Sequence, residues 1–392
     1  MAPTSPHTPL FLETPETTAR FLRDISTARE IAVDTEGASF HRFVDRIYLL
    51  QISTRDHTAV IDPLAVAELD GLGALMERDD VEVVFHDADY DLRLLRQDYG
   101  WRVLKIFDTR VAAQLLGIKA FGLAALLERY FGLKLEKKYQ RADWSLRPLT
   151  EPMLEYASQD TMHLLGLRDR MREELQAAGR LAWAEEEFAI VQNVHWSPDD
   201  AREAYLRIKG TRDLNRRELA VFRELVRWRD EVAAELDRAT FRVIGNEPLL
   251  ELARIRPADP EQLTAIKGMP RSIAHQRGVA IVEAIARGQA VPEADLPRFP
   301  RGKRWDKDPD FDARVSALKT ARDAVAQRLD MDPGVVCSKD RIEAVARRNP
   351  ETIADLDEVT ELRRWQREVL GAEYIKALKP HKKREESPYK DD

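Results

Sequence analysis

Five short apolar runs, EIAVDTE, RIYLLQIST, TAVIDP, EVVFH and KIFDT, follow one another through the first third of the chain, separated by polar turns or amphipathic stretches. Runs of this length between turn signals read as strands of a largely buried sheet. The first three lie close enough for antiparallel hairpins. The fourth and fifth are separated by DADYDLRLLRQDYG, which suits a crossover helix and parallel pairing. The expected architecture is a mixed sheet flanked by helices. Thr14 before Pro15 reads as an N-cap with a first-turn proline, opening a helix ahead of the first of these strands.

After about residue 170 the strand signals fade and helical periodicity takes over. In RRELAVFRELVRW, for example, Leu219, Phe222 and Val226 share one stripe. The Pro- and charge-rich segment GQAVPEADLPRFPRGKRWDKDPD breaks the pattern, and a second block places Val315, Leu318, Val325 and Leu329 at helical spacing. The expected organisation is an α/β domain over 1–200, a helical domain over 201–292, a linker over 293–308, a second helical domain over 309–380 and a disordered tail over 381–392. The last residues, KPHKKREESPYKDD at 379–392, have too little apolar surface to pack.

Composition narrows the setting. With 392 residues, 44% of them hydrophobic, the chain can bury more than one core. A net charge of −7 argues against a generally basic coat, but 62 Lys and Arg leave room for local basic faces. The single cysteine, Cys337, excludes an intrachain disulfide and a Cys-rich zinc site, which fits a reducing, cytoplasmic location. MAPTSPHTPL lacks the charged start and apolar run of a secretory signal, and no uninterrupted apolar stretch approaches the ~20 residues that span a bilayer. No membrane segment is expected.

One strand ends in carboxylates. Residues at i and i+2 on a strand face the same way, so Asp34 and Glu36 in IAVDTEGASF stand together at the sheet's end. Close carboxylates repel unless a cation lies between them. VFHDADYDL adds Asp87, Asp89 and Asp91 after another apolar run, and YASQDT puts Tyr156 and Asp160 at i and i+4 on one helical face. Hard divalent cations take oxygen ligands, and two of them about 3.5–4 Å apart can clamp an in-line phosphodiester displacement. The residues alone do not choose among the three aspartates after VFH.

These segments resemble the DEDD 3′→5′ exonucleases, and within them the ribonuclease D branch. The resemblance rests on DTE at 34–36, His86 with Asp91 and Leu92 in HDADYDL, FDTRVAAQLLG at 107–117, DWSLRPL at 143–149 and YASQD at 156–160, in the family's order. It implies a ribonuclease H-like fold for the first domain. It also implies Asp34, Glu36, Asp91 and Asp160 as ligands of two divalent ions, Mg²⁺ or Mn²⁺. Tyr156 marks the tyrosine subtype; the histidine subtype would need His where this chain has Glu155. No haem, flavin or nucleotide cofactor is expected.

Nearby polar residues read more modestly. His86 ends a strand and is expected to be structural. Asp108 reads as an N-cap. In KKYQRADWSLRPL basic groups and an indole interleave, making Gln140, Arg141, Trp144 and Arg147 candidate substrate contacts by phosphate binding and base stacking.

Within the helical remainder, LVRWRDEVAAELDRATFRVIGNEPLLELARIRPADPEQLTAIKGMP resembles an HRDC domain, and the block near 309–380 reads as a diverged repeat of it. Such modules bind nucleic acid or partner surfaces. Arg202, Arg207, Lys209, Arg212, Arg216 and Arg217, or RGKRW at 301–305, are candidate phosphate contacts. The function implied is a 3′→5′ exoribonuclease acting on single-stranded 3′ ends of structured RNA such as tRNA precursors, with release of nucleoside monophosphates. A DNA exonuclease and a catalytically silent scaffold are the alternatives.

Overall fold

The computed structural model describes residues 8–135, 138–193, 203–300 and 308–381. Six strands form one sheet: β1 (Leu10–Leu12), β2 (Glu30–Glu36), β3 (Leu49–Ser53), β4 (Thr58–Ile61), β5 (Glu82–Phe85) and β6 (Ile106–Asp108), in the order β1-β4-β3-β2-β5-β6. β2–β3 and β3–β4 pair antiparallel, and β2–β5 and β5–β6 pair parallel, so the hairpin and crossover readings both hold. The strand not anticipated is β1, a three-residue LFL segment at the edge that pairs parallel with β4. It is too short to show a period of its own.

Helices α1 (Pro15–Ile25), α2 (Asp70–Met76), α3 (Asp89–Tyr99), α4 (Thr109–Leu115), α5 (Leu123–Phe131), α6 (Glu151–Met162), α7 (Leu164–Ala177) and α8 (Leu181–Val191) complete this first part of the chain. Thr14 caps α1, its hydroxyl accepting the Thr17 amide, with Pro15 in the first turn. Asp108 caps α4 and its carboxylate also accepts the amides of Asp87 and Ala88, which holds the β5–α3 turn in place. Strands β3, β4 and β5 are buried along their whole length because both sheet faces are covered. Burying each Val or Leu side chain contributes about 1.5–3 kcal/mol.

The remainder is helical: α9 (Arg216–Glu235), α10 (Thr240–Val243), α11 (Asn246–Ile255), α12 (Arg271–Ala290), then α13 (Phe311–Leu329), α14 (Pro333–Val336), α15 (Lys339–Arg348) and α16 (Arg364–Leu378). The two blocks attach differently. α9–α12 close around a core of their own that includes Phe222, Trp228, Leu249 and Ile281. α13–α16 share one continuous apolar core with the sheet domain. Trp365 stacks on Trp183 at 4.9 Å, its Nε1 donates to Glu187 at 2.9 Å, and Arg180 donates to the carbonyls of Leu115 and Leu329.

Candidate active site

β2 is central in the sheet, flanked by β3 and β5, so its C-terminal end opens where several elements converge. Asp34 and Glu36 stand there. Asp160 comes from α6, which is fixed to the same sheet by a Ser53–Thr161 hydroxyl contact of 2.8 Å. Oxygens of Asp34, Glu36 and Asp160 all lie within 4.8 Å of one another. Asp91 approaches from the first turn of α3, buried, its carboxylate accepting the Thr35 hydroxyl at 2.5 Å. It stands outside the close trio yet acts on it electrostatically.

Burial and mutual repulsion push these acids toward protonation. Burial, followed by the Asp160 charge, pushes Asp34 well above the usual carboxylate range. Glu36 is raised by burial and by Asp34, Asp160 and Asp91 together. Burial and the Asp34 charge raise Asp91, and burial and the Asp91 charge push Asp160 up to about 7. An all-oxygen donor set whose members repel one another suits a hard divalent cation, because bound positive charge would remove the repulsion that now favours protonation.

Tyr156 lies one helical turn before Asp160. Trp144 stacks near its ring at 6.2 Å and Tyr139 meets it edge-on at 5.7 Å. Burial and the charges of Asp160, Glu36 and Asp34 raise its phenol, which therefore stays neutral at physiological pH.

The three aspartates separate cleanly. Asp87 pairs with Arg110 and Asp89 with Arg93, both at the surface, leaving Asp91 as the buried one. Burial pushes His86 down to about 4, and its Nδ1 sits 2.9 Å from the Thr109 hydroxyl, a neutral structural histidine.

The loop from Gly37 to Arg46 holds the acids in register. A Cβ at Gly37 would lie 2.0 Å from the Tyr90 hydroxyl and 2.7 Å from an Asp45 carboxylate oxygen, so a larger residue there must displace those side chains. Tyr90 donates to Asp45 at 2.7 Å, Gln97 donates to the Asp45 carbonyl, and Asp98 accepts the Ile47 amide. Helix α3, and with it Asp91, is thereby tied to the loop that leaves Glu36.

Two substrate-contact expectations require correction. Trp144 is 1% exposed and packs among Leu49, Val60 and Ala157, so it backs Tyr156 and cannot stack on a base. Arg147 is engaged by the protein: it is paired with buried Asp62 and donates to the carbonyls of Trp144, Leu146 and Tyr48. Gln140 and Arg141 are exposed. In the helical part, Arg216 and Arg217 donate to carbonyls at the end of α12 and in the segment after it, bracing the domain. Arg202, RGKRW and residues 382–392 lie outside the described residues.

Gln51 was not singled out from the sequence. It pairs with Asp34 in the β2–β3 register, is fully buried, and its amide has no hydrogen-bond partner among the described residues. One polar residue inside the apolar run LLQIS was the available signal.

Known proteins resemble this chain along most of its length. A family model described as 3′-5′ exonuclease covers residues 10–176, and the HRDC domain model matches twice, at 218–285 and 311–378. A ribonuclease D of Granulibacter bethesdensis is 33% identical over 353 residues, 89% of this chain and 87% of its own length. The ribonuclease D of Gluconacetobacter diazotrophicus is 31% identical over 95% of this chain and 93% of its own. The crystal structure of Escherichia coli RNase D, described as an exoribonuclease involved in structured RNA processing, shares the fold with a TM-score of 0.74 over 96% of this chain and 100% of that one, at 23% identity. No helix among the described residues is long and apolar enough to cross a membrane.

Proposed function

This chain belongs to the ribonuclease D family of 3′→5′ exoribonucleases, and from that premise we propose that it trims single-stranded 3′ ends of structured RNA, tRNA precursors foremost, releasing nucleoside 5′-monophosphates. The observation that carries the reading is the close trio of Asp34, Glu36 and Asp160 with Asp91 and Tyr156 beside it.

Asp34, Glu36, Asp91 and Asp160 would hold two divalent ions, Mg²⁺ or Mn²⁺, which when bound supply Lewis acidity toward water and the leaving oxygen. The chain's own groups do the rest. The neutral phenol of Tyr156 is a poor base but a good hydrogen-bonding group, and it orients the attacking water. Trp144 and Tyr139 fix the ring so that this orientation is pre-set. Gln140 and Arg141, exposed on the segment that carries Trp144, meet the substrate strand, and the helical domains select the RNA. The site of action is the cytoplasm, consistent with a lone, buried, unpaired Cys337.

Nothing about four carboxylates distinguishes ribose from deoxyribose, so a DNA exonuclease would use the same trio. Incubating the protein with RNA and DNA oligonucleotides of varied 3′ ends, with Mg²⁺, Mn²⁺ or chelator, separates the readings. The proposal expects stepwise 3′ shortening of RNA that chelator abolishes. Preferential cutting of DNA, or binding with no cutting at all, would overturn it.

A further inference from the structure

The loop that leaves Glu36 reaches across to the first helical domain. The Ala239 amide donates to the His41 carbonyl at 3.1 Å, Arg42 donates to Asp237 at 3.1 Å, and Arg242 donates to the Phe40 carbonyl. His41 also touches the Arg141 carbonyl at 3.1 Å, which ties the loop to the segment carrying Trp144. These polar contacts latch the two domains together.

Two phenyl rings sit on this latch without being consumed by it. Phe40, from the sheet domain, and Phe241, from the helical domain, meet edge to face at 6.3 Å and 76°. A pair that served only to glue domains together would be buried, yet Phe40 is 48% exposed and Phe241 53%. The Arg141 guanidinium lies 5.6 Å from the centre of the Phe40 ring. Exposed single apolar residues are ordinary; two touching aromatics from different domains beside an arginine, on the loop that leaves a nuclease's metal-binding acids, are not. Phe40 is four residues beyond Glu36, so the chain places it within about 14 Å of that carboxylate's backbone.

Resting on the reading of the acids as a 3′-end site, we propose that Phe40, Phe241 and Arg141 form a two-domain platform that stacks an unpaired RNA base upstream of the scissile bond. Every base offers a π-face, so such a platform holds single strand without reading sequence, and the arginine adds cation–π and phosphate contacts. A base in a helical stem is already stacked on its neighbours and is not free to use it. Because one ring belongs to each domain, the platform exists only when the helical domain is docked. That gives the helical domain a direct part in recognising single-stranded 3′ ends.

The test is an abasic walk along a fluorescent single-stranded RNA, with binding measured in chelator so that hydrolysis plays no part. Each nucleotide in turn loses its base and keeps its phosphate. With the parent chain, affinity should fall about 5- to 150-fold at one or two adjacent positions near the 3′ end, the effect of one lost stack of ~1–3 kcal/mol. In a Phe40→Ala/Phe241→Ala chain the loss should already be present with intact RNA, and the penalty at those positions should vanish. Phe40→Tyr/Phe241→Tyr should restore it. If the Ala substitutions merely loosened domain docking, affinity would drop while the abasic profile kept its shape, and the platform would be refuted. An unchanged affinity and profile would refute it equally. Hydrolysis of the same RNA by the parent in Mg²⁺ reports separately on the acids, so failure of that reading is distinguishable from failure of the platform.

Discussion

Asp34, at the end of a central strand, and Asp160, on a helix packed over the sheet, bring carboxylate oxygens within 4.8 Å in a partly buried site. Two such groups cannot both be ionised there without cost, and among the described residues the charged groups acting on them are other carboxylates. The site therefore stores a repulsion that a bound cation relieves.

A pH dependence follows. Unfolded aspartate titrates near ~3.9, whereas Asp160 in the fold is pushed to about 7, so between those values the folded chain binds more protons than the unfolded one. The sign is fixed by that difference: metal-free stability declines as pH rises through this window, and the stabilisation from the protonated acid is complete only at its lower end. Thermal unfolding of chelator-treated protein should show a lower Tm at pH 7.5 than at pH 5 from this contribution, a difference that Mg²⁺ shrinks and Asp160→Asn reduces. A Mg²⁺ effect on Tm that is the same at both pH values would contradict it.

Tyr156→Phe keeps the ring that Trp144 and Tyr139 hold and removes only the hydroxyl. Metal-induced thermal stabilisation and RNA affinity should persist, while single-turnover cleavage slows by roughly 10²–10⁴, the range for losing a positioned proton-handling group. A variant as fast as the parent would remove Tyr156 from the chemistry.

Gly37 and Tyr90 should be coupled. Gly37→Ala drives a methyl into the Tyr90 hydroxyl and should cost about 1–3 kcal/mol by overpacking. Tyr90→Phe vacates that space, so the double variant should be more stable than the sum of the two single effects predicts, by denaturant melts. Strict additivity would mean that the loop moves aside freely.

Arg147→Ala should strand the buried Asp62 carboxylate. Burial pushes that carboxyl up, but hydrogen bonds from Arg147 and from the Leu64 amide outweigh this and hold it below the usual range. The substitution should cost about 3 kcal/mol of stability while leaving the salt dependence of RNA binding unchanged. A flatter salt slope with undiminished stability would restore Arg147 as a phosphate contact.

Much of this was legible in the chain because it is local. The spacing between apolar runs placed the two antiparallel hairpins and the parallel β5–β6 pair, Thr14–Pro15 marked the start of α1, and the i, i+2 and i, i+4 spacings put Asp34 with Glu36 and Tyr156 with Asp160. What stayed hidden depends on contacts between distant segments. Trp144 reads as a stacking residue until Leu49 and Val60 bury it, and Arg147 reads as a free cation until Asp62 claims it. The second helical block looks detachable in sequence, yet its Trp365 completes the sheet domain's core. Phe40 and Phe241 carry no periodic signal, and only the docked domains bring them together.

The central claim is that the carboxylate cluster, through bound divalent metal, removes nucleotides from the 3′ end of RNA. It is tested most directly by following release of labelled nucleoside 5′-monophosphate from 3′-end-labelled RNA in Mg²⁺, comparing the parent with highly purified Asp34→Asn. The account predicts steady release by the parent and a loss of at least about 10³-fold in the variant, which should still fold and still bind RNA. Release by Asp34→Asn at a rate near the parent's would contradict it.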